Sequence, residues 1–403
     1  MGRTATIRTA VTRTAVTRTP ITRAAFPDWL NKIYTDSLVL DPTFAANPEE
    51  LYFHGYINGK LYFGQGHATT AGKEWYCDPD GSNLIEIYSH TGINMWASTY
   101  SAADKKIYLA GEAIESGSQW RMAVGVIDVD PLSATYNQVT LTLIVSDSAG
   151  KATGGCNRLF MIYDDAANNR LILGEWPADT GAPKNTTGSD YPHGTGLWTV
   201  PKTSLNDDAT YVRGIEIYNI DPVDGRWRSI VKFGGLYYAF FSTSEWELRS
   251  SPDLITWTKV SLGGGYDNAS PVVSTFHDAM FVIRWTPWDE PRADNKRLII
   301  YKFDGTTWTE IAALDRPDWE HSSMIETPDH NLLVFVDSGK KHYTYLVDPT
   351  TGGYKRILDY IPDNMAHLYL TGNEGRWNGN TMYYGTQLTN AGTSANLRKL
   401  VIS

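Results

Sequence analysis

Apolar and polar residues alternate along most of this chain in short runs, and the runs are cut by Asn-Gly, Asp-Gly, Asp-Pro and Gly-Gly pairs. A period of two marks strands that turn one face to a core, and the breaker pairs mark the turns between them. The stretch LYFHGYINGKLYFGQ, Leu51 to Gln65, shows the unit: two alternating runs flank Asn58-Gly59, a pair suited to the positive φ angles of a two-residue hairpin. Related hairpins start near Met95, Cys156, Arg228, Ser270, Ser322 and Ala366. They return at intervals of about 42 to 72 residues, around the spacing of propeller blades. A second hairpin follows most of them, as in EWYCDPDGSNLIEIY and HYTYLVDPTTGGYKRILDYI, and two hairpins make one four-stranded blade.

The pattern predicts an all-β fold, a β-propeller of seven four-stranded blades, with six or eight as the neighbouring counts. The last repeat ends at NLRKLVIS one strand short, while a spare apolar run, SLVLDP (Ser37 to Pro42), precedes the first. Placed as the outer strand of the last blade, that run closes the ring and removes its edges. The expected organisation is an extended arm over residues 1–25, a short connector over 26–36 and the propeller over 37–403.

Composition changes this picture at the N-terminus. The 403 residues are 42% hydrophobic and 20% charged, as in globular proteins, with a formal charge of −10. Yet Arg3, Arg8, Arg13, Arg18 and Arg23 recur at every fifth position, and no acid appears before Asp28. Everything after the repeat is correspondingly acidic, which makes the body a poor nucleic-acid binder. A five-residue period fits neither helix nor strand: each step rotates a helix by about 140° and moves to the opposite face of a strand. Interleaved Thr and Val favour extension, and Pro20 interrupts any continuous ladder. Such an arm has no core of its own, so its partners are expected outside its domain, on other protein subunits. It is too short and too poor in Lys for strong binding to DNA by itself.

Cys77 and Cys156 show no CxxC or Cys/His spacing and are expected as buried free thiols. No apolar run approaches the roughly 18 residues of a membrane span, and the N-terminus lacks the apolar core of a secretory signal, which points to synthesis in the cytoplasm.

In SSPDLITWTKV, the residues Ser251, Asp253 and Trp257 resemble the Asp-box of sialidase-type repeats and the Ser-x-Asp-Leu-x-x-Trp turn of five-bladed glycosidases. FDGTTWTEI, Phe303 to Ile311, resembles a second copy without the Ser. In those families the element is a structural turn, so the resemblance implies a propeller and no catalytic role. Asp41 in LDPTF resembles the glycosidase base and Glu290 in WDEPRAD the acid before a Pro. Against that, Asp-Pro recurs here as turn chemistry, the blade count differs, and no Phe-Arg-Ile-Pro segment supplies the first sialidase arginine.

Hairpin phasing places His54, Trp96, Asn157, Arg228, Glu320, His321 and His367 near the axial funnel, where rings and polar groups could hold a sugar or satisfy one another in a plugged channel. His54, His321 and His367 come from separate blades without a His-x-His pair, so no metal site is expected. No cofactor is expected either, since P-loop, Rossmann glycines and nucleophile elbow are all missing. The aromatic residues Tyr191, Trp198, Trp285 and Trp288 fall in long insertions between strands. A basic arm ahead of a propeller resembles the plan of phage and virus structural proteins. That plan implies a non-enzymatic structural or adhesive subunit of a particle, such as a tail, fibre or capsid-decorating protein of a virion. The alternative is a carbohydrate-binding or glycoside-hydrolysing propeller, with a surface glycan as its partner.

Overall fold

The computed structural model describes residues 32–40, 50–66, 72–90, 92–115, 119–144, 157–177, 197–207, 210–213, 226–242, 247–260, 271–285, 297–315, 321–337, 342–360, 365–367, 376–385, 387–388 and 396–403. They form seven small antiparallel sheets of four strands arranged as a seven-bladed β-propeller.

The closing strand is β1 (Tyr34–Leu38). Blade one comprises β2 (Glu50–Ile57), β3 (Lys60–Gly66), β4 (Gly72–Cys77) and β5 (Ile85–His90). Blade two comprises β6 (Ile93–Ser101), β7 (Lys106–Glu115), β8 (Gln119–Asp128) and β9 (Val139–Ile144). Blade three has β10 (Asn157–Asp165), β11 (Arg170–Pro177), β12 (Leu197–Pro201) and β13 (Val212–Arg213). Blade four has β14 (Arg226–Phe233), β15 (Leu236–Ser242), β16 (Glu247–Ser251) and β17 (Thr258–Val260). Blade five is built from β18 (Val272–Ser274), β19 (Ala279–Trp285), β20 (Arg297–Phe303) and β21 (Trp308–Asp315). Blade six is built from β22 (His321–Glu326), β23 (Leu332–Asp337), β24 (His342–Val347) and β25 (Tyr354–Tyr360). The remaining strands are β26 (Met365–His367), β27 (Trp377–Asn378), β28 (Thr381–Gly385), β29 (Gln387–Leu388) and β30 (Leu397–Ile402). Blade seven runs β27-β28-β30-β1, so the first strand among the described residues completes the last blade.

The core is a ring of layers between blades. Ile57, Tyr62, Ile93, Met95 and Leu109 join blades one and two, and Ala97, Tyr108, Leu159, Leu171 and Trp198 join two and three. Met161, Ile172, Trp227 and Ala239 continue into blade four, and one large cluster from Tyr238 to Val347 carries the packing through blade six. Ile325, Leu333 and Leu346 meet Met382 and Leu400 of blade seven, and Leu51, Phe53 and Phe63 meet Tyr383 and Leu397 to finish the circle. Every blade therefore buries both of its faces, which is why strands in this chain carry large residues at inward positions on both sides.

Two sequence expectations are corrected here. The apolar run Ser37–Pro42 is not itself the closing strand: the ladder runs Tyr34↔Ile402 to Leu38↔Arg398, and Val39 and Leu40 then enter the layer between blades seven and one. Polarity explains the shift, because Asp36 in the strand meets the Arg398 guanidinium at 2.5 Å and accepts from the Tyr384 hydroxyl at 2.7 Å. The last hairpin is also displaced. The strand-like run at Ala366 forms β26, which pairs with β29 and through it with β2, while the innermost strand of blade seven is the two-residue β27.

Because antiparallel strands alternate in direction, the turns joining first to second and third to fourth strands share one end of the ring. That end is fastened by repeated carboxylate, tyrosine and cation sets. Lys202 bridges Asp104 and Asp164, and Tyr108 donates to Asp104. In the next blade pair Tyr237 and Arg170 both bond Asp165, which is 2% exposed. The connections at the opposite end, among them residues 145–156, 178–196, 214–225, 286–296 and 361–364, lie outside the described residues.

Candidate functional site

The innermost strands of the first four blades share one irregularity. Register slips by one residue between Phe53 and Gly55, Met95 and Ala97, Leu159 and Met161, and Trp227 and Ser229. The inserted residues are His54, Trp96, Phe160 and Arg228. A β-bulge of this kind bends the strand; those of β6, β10 and β14 fall in the first half of their strands, toward the end opposite the tight turns, and that of β2 falls just past its middle. Three of the four are funnel positions expected from the sequence.

His54 is buried, and its Nε2 lies 2.7 Å from Oε2 of Glu74. The pair spans from the first to the third strand because Gly64, between them, has no side chain: a Cβ there would stand 2.5 Å from the carboxylate oxygen. His54 Nδ1 has no hydrogen-bond partner among the described residues. Trp96, also buried, meets Tyr52 edge-on at 6.1 Å between ring centroids. Both inserted side chains thus belong to the wall between blades one and two. Asn94 and Glu112 form a second buried pair, Nδ2 to Oε1 at 3.2 Å. On the other side of β2, the Arg376 guanidinium lies 5.8 Å from the Phe53 ring centroid, and complete burial pulls its pKa down to about 10. The result is a set of buried polar groups, Arg376, the His54–Glu74 pair and the Asn94–Glu112 pair, within the otherwise apolar layers on either side of blade one.

The other expected positions are less fully described. Asn157 opens β10 opposite Pro177, and His321 opens β22 opposite Asp337. His367 lies in β26 opposite Gln387, two strands from Glu50 at the start of β2. Glu320, Asp41, Glu290 and the arm residues Arg3, Arg8, Arg13, Arg18 and Arg23 lie outside the described residues, as do Cys156, Tyr191 and Trp288. Trp198, expected in an insertion, is instead a core residue of β12 at 2% exposure. Trp285 ends β19 opposite Leu298. The Cys77 thiol is wholly buried, and burial pushes its pKa up to about 12. Among the described residues no cluster of three or more His, Cys, Asp or Glu is placed to hold a metal, and no helix is long and apolar enough to cross a membrane.

The Asp-box-like turn joins β16 to β17. Asp253 accepts from the backbone N–H groups of Ile255 at 2.8 Å and Thr256 at 2.7 Å. Trp257 packs on Trp227, with centroids 5.1 Å apart, in the layer shared with blade three. The same Asp device recurs where third strands turn to fourth strands: Asp80, Asp130, Asp304 and Asp348 each accept the N–H two residues on. Sequence reading missed the extent of this repeat, although Asp130-Pro131 and Asp348-Pro349 signalled it. The acids Glu74 and Glu112 were missed altogether. Their signal is a Glu in the interior of a largely apolar strand, in GKEWYC and KIYLAGEAIE.

No family model matches the sequence, and no curated protein matches it. Solved structures share the fold at low identity. A polysaccharide lyase described as ulvan lyase PL25, bound to -[GlcA(1-4)Rha3S]-, aligns over 88% of this chain and 94% of its own, with 10% identity and a TM-score of 0.53. An oligogalacturonate lyase in complex with manganese aligns over 91% and 93%, with 10% identity and a TM-score of 0.52. A puromycin hydrolase S511A mutant aligns over 90% of this chain with 11% identity and a TM-score of 0.51; the chain spans only 53% of that protein. The class defined by fold and comparison together is the β-propeller, and such likeness carries no activity with it.

Proposed function

We propose that this protein is a non-enzymatic structural or adhesive subunit of a multi-subunit particle, held by its basic N-terminal segment and presenting the opposite end of its propeller outward. The observation that carries the proposal is the polarity of the ring. The segment enters at Lys32, whose ammonium group pairs with Asp329 at 2.6 Å in a tight turn of blade six, and Ile33 pairs with Ser403 beside it. The bulges of β6, β10 and β14 lie toward the other end. Attachment at the end where the segment enters and presentation at the other is the arrangement an anchored module needs. The five arginines would pair with carboxylates of neighbouring subunits, and a virion tail, fibre or capsid surface is the setting this plan fits.

A second reading is a carbohydrate-binding propeller, for which the sequence offered His54, Trp96 and Arg228 at the axial funnel; the first two are buried between neighbouring blades, which weighs against it. Two of the structural neighbours are named as lyases of polysaccharide or oligogalacturonate, which adds a shared scaffold only. A hydrolytic version would need paired carboxylates about 5–10 Å apart across an open cleft, and its sequence candidates are Asp41 and Glu290.

The ring completes its core and closing ladder from Lys32 onward, so deleting residues 2–25 should leave a propeller of nearly unchanged melting temperature that no longer joins its particle. Replacing the five arginines by Gln should weaken attachment and flatten its salt dependence, since fewer ion pairs remain to be screened. Normal incorporation of the deleted protein would refute the proposal.

A further inference from the structure

The tight-turn end carries an exposed aromatic platform beside the point where the N-terminal segment enters. Phe276, in the turn between β18 and β19, is 64% exposed, yet its ring packs against two histidines. His330 of blade six stacks on it at 3.8 Å and 3°. His330 is fixed in turn by Glu326 at Nδ1, 3.0 Å, and Glu326 accepts from Ser274 at 2.7 Å. His277 bonds the His330 carbonyl at 2.7 Å and meets Phe276 edge-on. One face of the phenyl ring is therefore held and the other is open. An aromatic ring stacked on one side and exposed on the other can anchor a partner's apolar side chain.

Its neighbour in sequence to His330 is Asp329, the partner of Lys32. Immediately before Lys32 the sequence reads AAFPDWLN, and Phe26 and Trp29 are the first aromatic residues of the chain. Trp29 is three residues from the anchored Lys32 and Phe26 six, so extended backbone reaches about 10 and 20 Å from that ion pair. A tether this short gives the pair an effective concentration in the millimolar range or higher, which no free partner matches.

We propose that residues 26–31 dock in cis on the Phe276–His330 platform, with Trp29 or Phe26 covering the open face of the phenyl ring. The segment then forms the fixed root of the basic arm, and the pentad arginines leave the ring from one defined place between blades five and six. This inference is independent of what those arginines bind.

The test is amide hydrogen exchange on the full chain, read over residues 26–33, in the parent and in Phe276→Ala, His330→Ala, Trp29→Ala and the Trp29→Ala/Phe276→Ala double variant. Phe276 is a surface residue, so its variant should fold. Docking predicts slowed exchange in the parent, a rise of about tenfold or more in each single variant, and little further rise in the double. Exchange over residues 26–31 at the unprotected rate in the parent, or unaltered by Phe276→Ala, would overturn the proposal. So would protection that grows with protein concentration, because it would assign the platform to a second copy of the chain.

Discussion

At the scale of single residues, the turn aspartates show how much of this fold rests on side chains bonding local backbone. Asp304 accepts from the N–H groups of Thr306 at 2.9 Å and Thr307 at 2.8 Å, and these backbone bonds, Thr307 foremost, hold its pKa down at about 2. A carboxyl whose folded pKa is depressed stabilises the protein above its unfolded value and loses that effect as pH falls through the folded one. The contribution of Asp304 should accordingly be complete above about pH 4 and disappear toward pH 2. The melting temperatures of the parent and Asp304→Ala should differ at pH 6 and converge at pH 2. A gap that is constant across this range would show that the carboxylate charge has no part in the turn. Gly64 illustrates the opposite economy, since removing a side chain from the middle strand is what lets Glu74 reach His54.

At the scale of elements, the closing strand is held by more than its ladder. Asp36 and Arg398 are each 7% exposed at the side chain, and the buried Tyr384 hydroxyl has its pKa driven well up by burial and by Asp36. Asp36→Ala removes the carboxylate facing a buried guanidinium and should cost about 3 kcal/mol, read as a lowered unfolding midpoint in urea. Asp36→Asn should cost less, because an acceptor for Tyr384 remains. A midpoint unchanged in Asp36→Ala would mean that the ladder alone closes the ring. This pair was invisible in the sequence because 362 positions separate its members. Hairpins such as Leu51–Gln65 were legible because period-two alternation and an Asn-Gly turn are local signals. The last blade was misphased for the same reason: β27 has only two residues, and the more strand-like run at Ala366 pairs outside that blade. The inner-strand positions were half legible. His54, Trp96 and Arg228 stand at definite places in their hairpins, whereas Glu74 joins His54 only through a three-strand register that no local pattern encodes.

At the scale of the whole molecule, ring closure is a contest between one short strand and an open edge. Without β1, the outer edge of β30 would present unpaired backbone groups from Leu397 to Ile402, a template for other chains. The layer between blades seven and one would also lose Val39 and Leu40, which pack with Leu51, Phe63 and Tyr383. Deleting residues 1–40 should therefore behave unlike deleting 2–25: the longer truncation should self-associate and melt over a broad range, while the shorter one stays monomeric. A synthetic peptide spanning residues 32–42 supplied to the truncated chain should restore a single sharp transition, because it returns both the ladder and the two apolar anchors. The check is sedimentation velocity together with thermal unfolding, with and without the peptide. If the chain lacking residues 1–40 remains monomeric with the parent's melting temperature, the blades hold the ring without their N-terminal strand. The segment's place at Asp329 would then have to be explained by attachment alone.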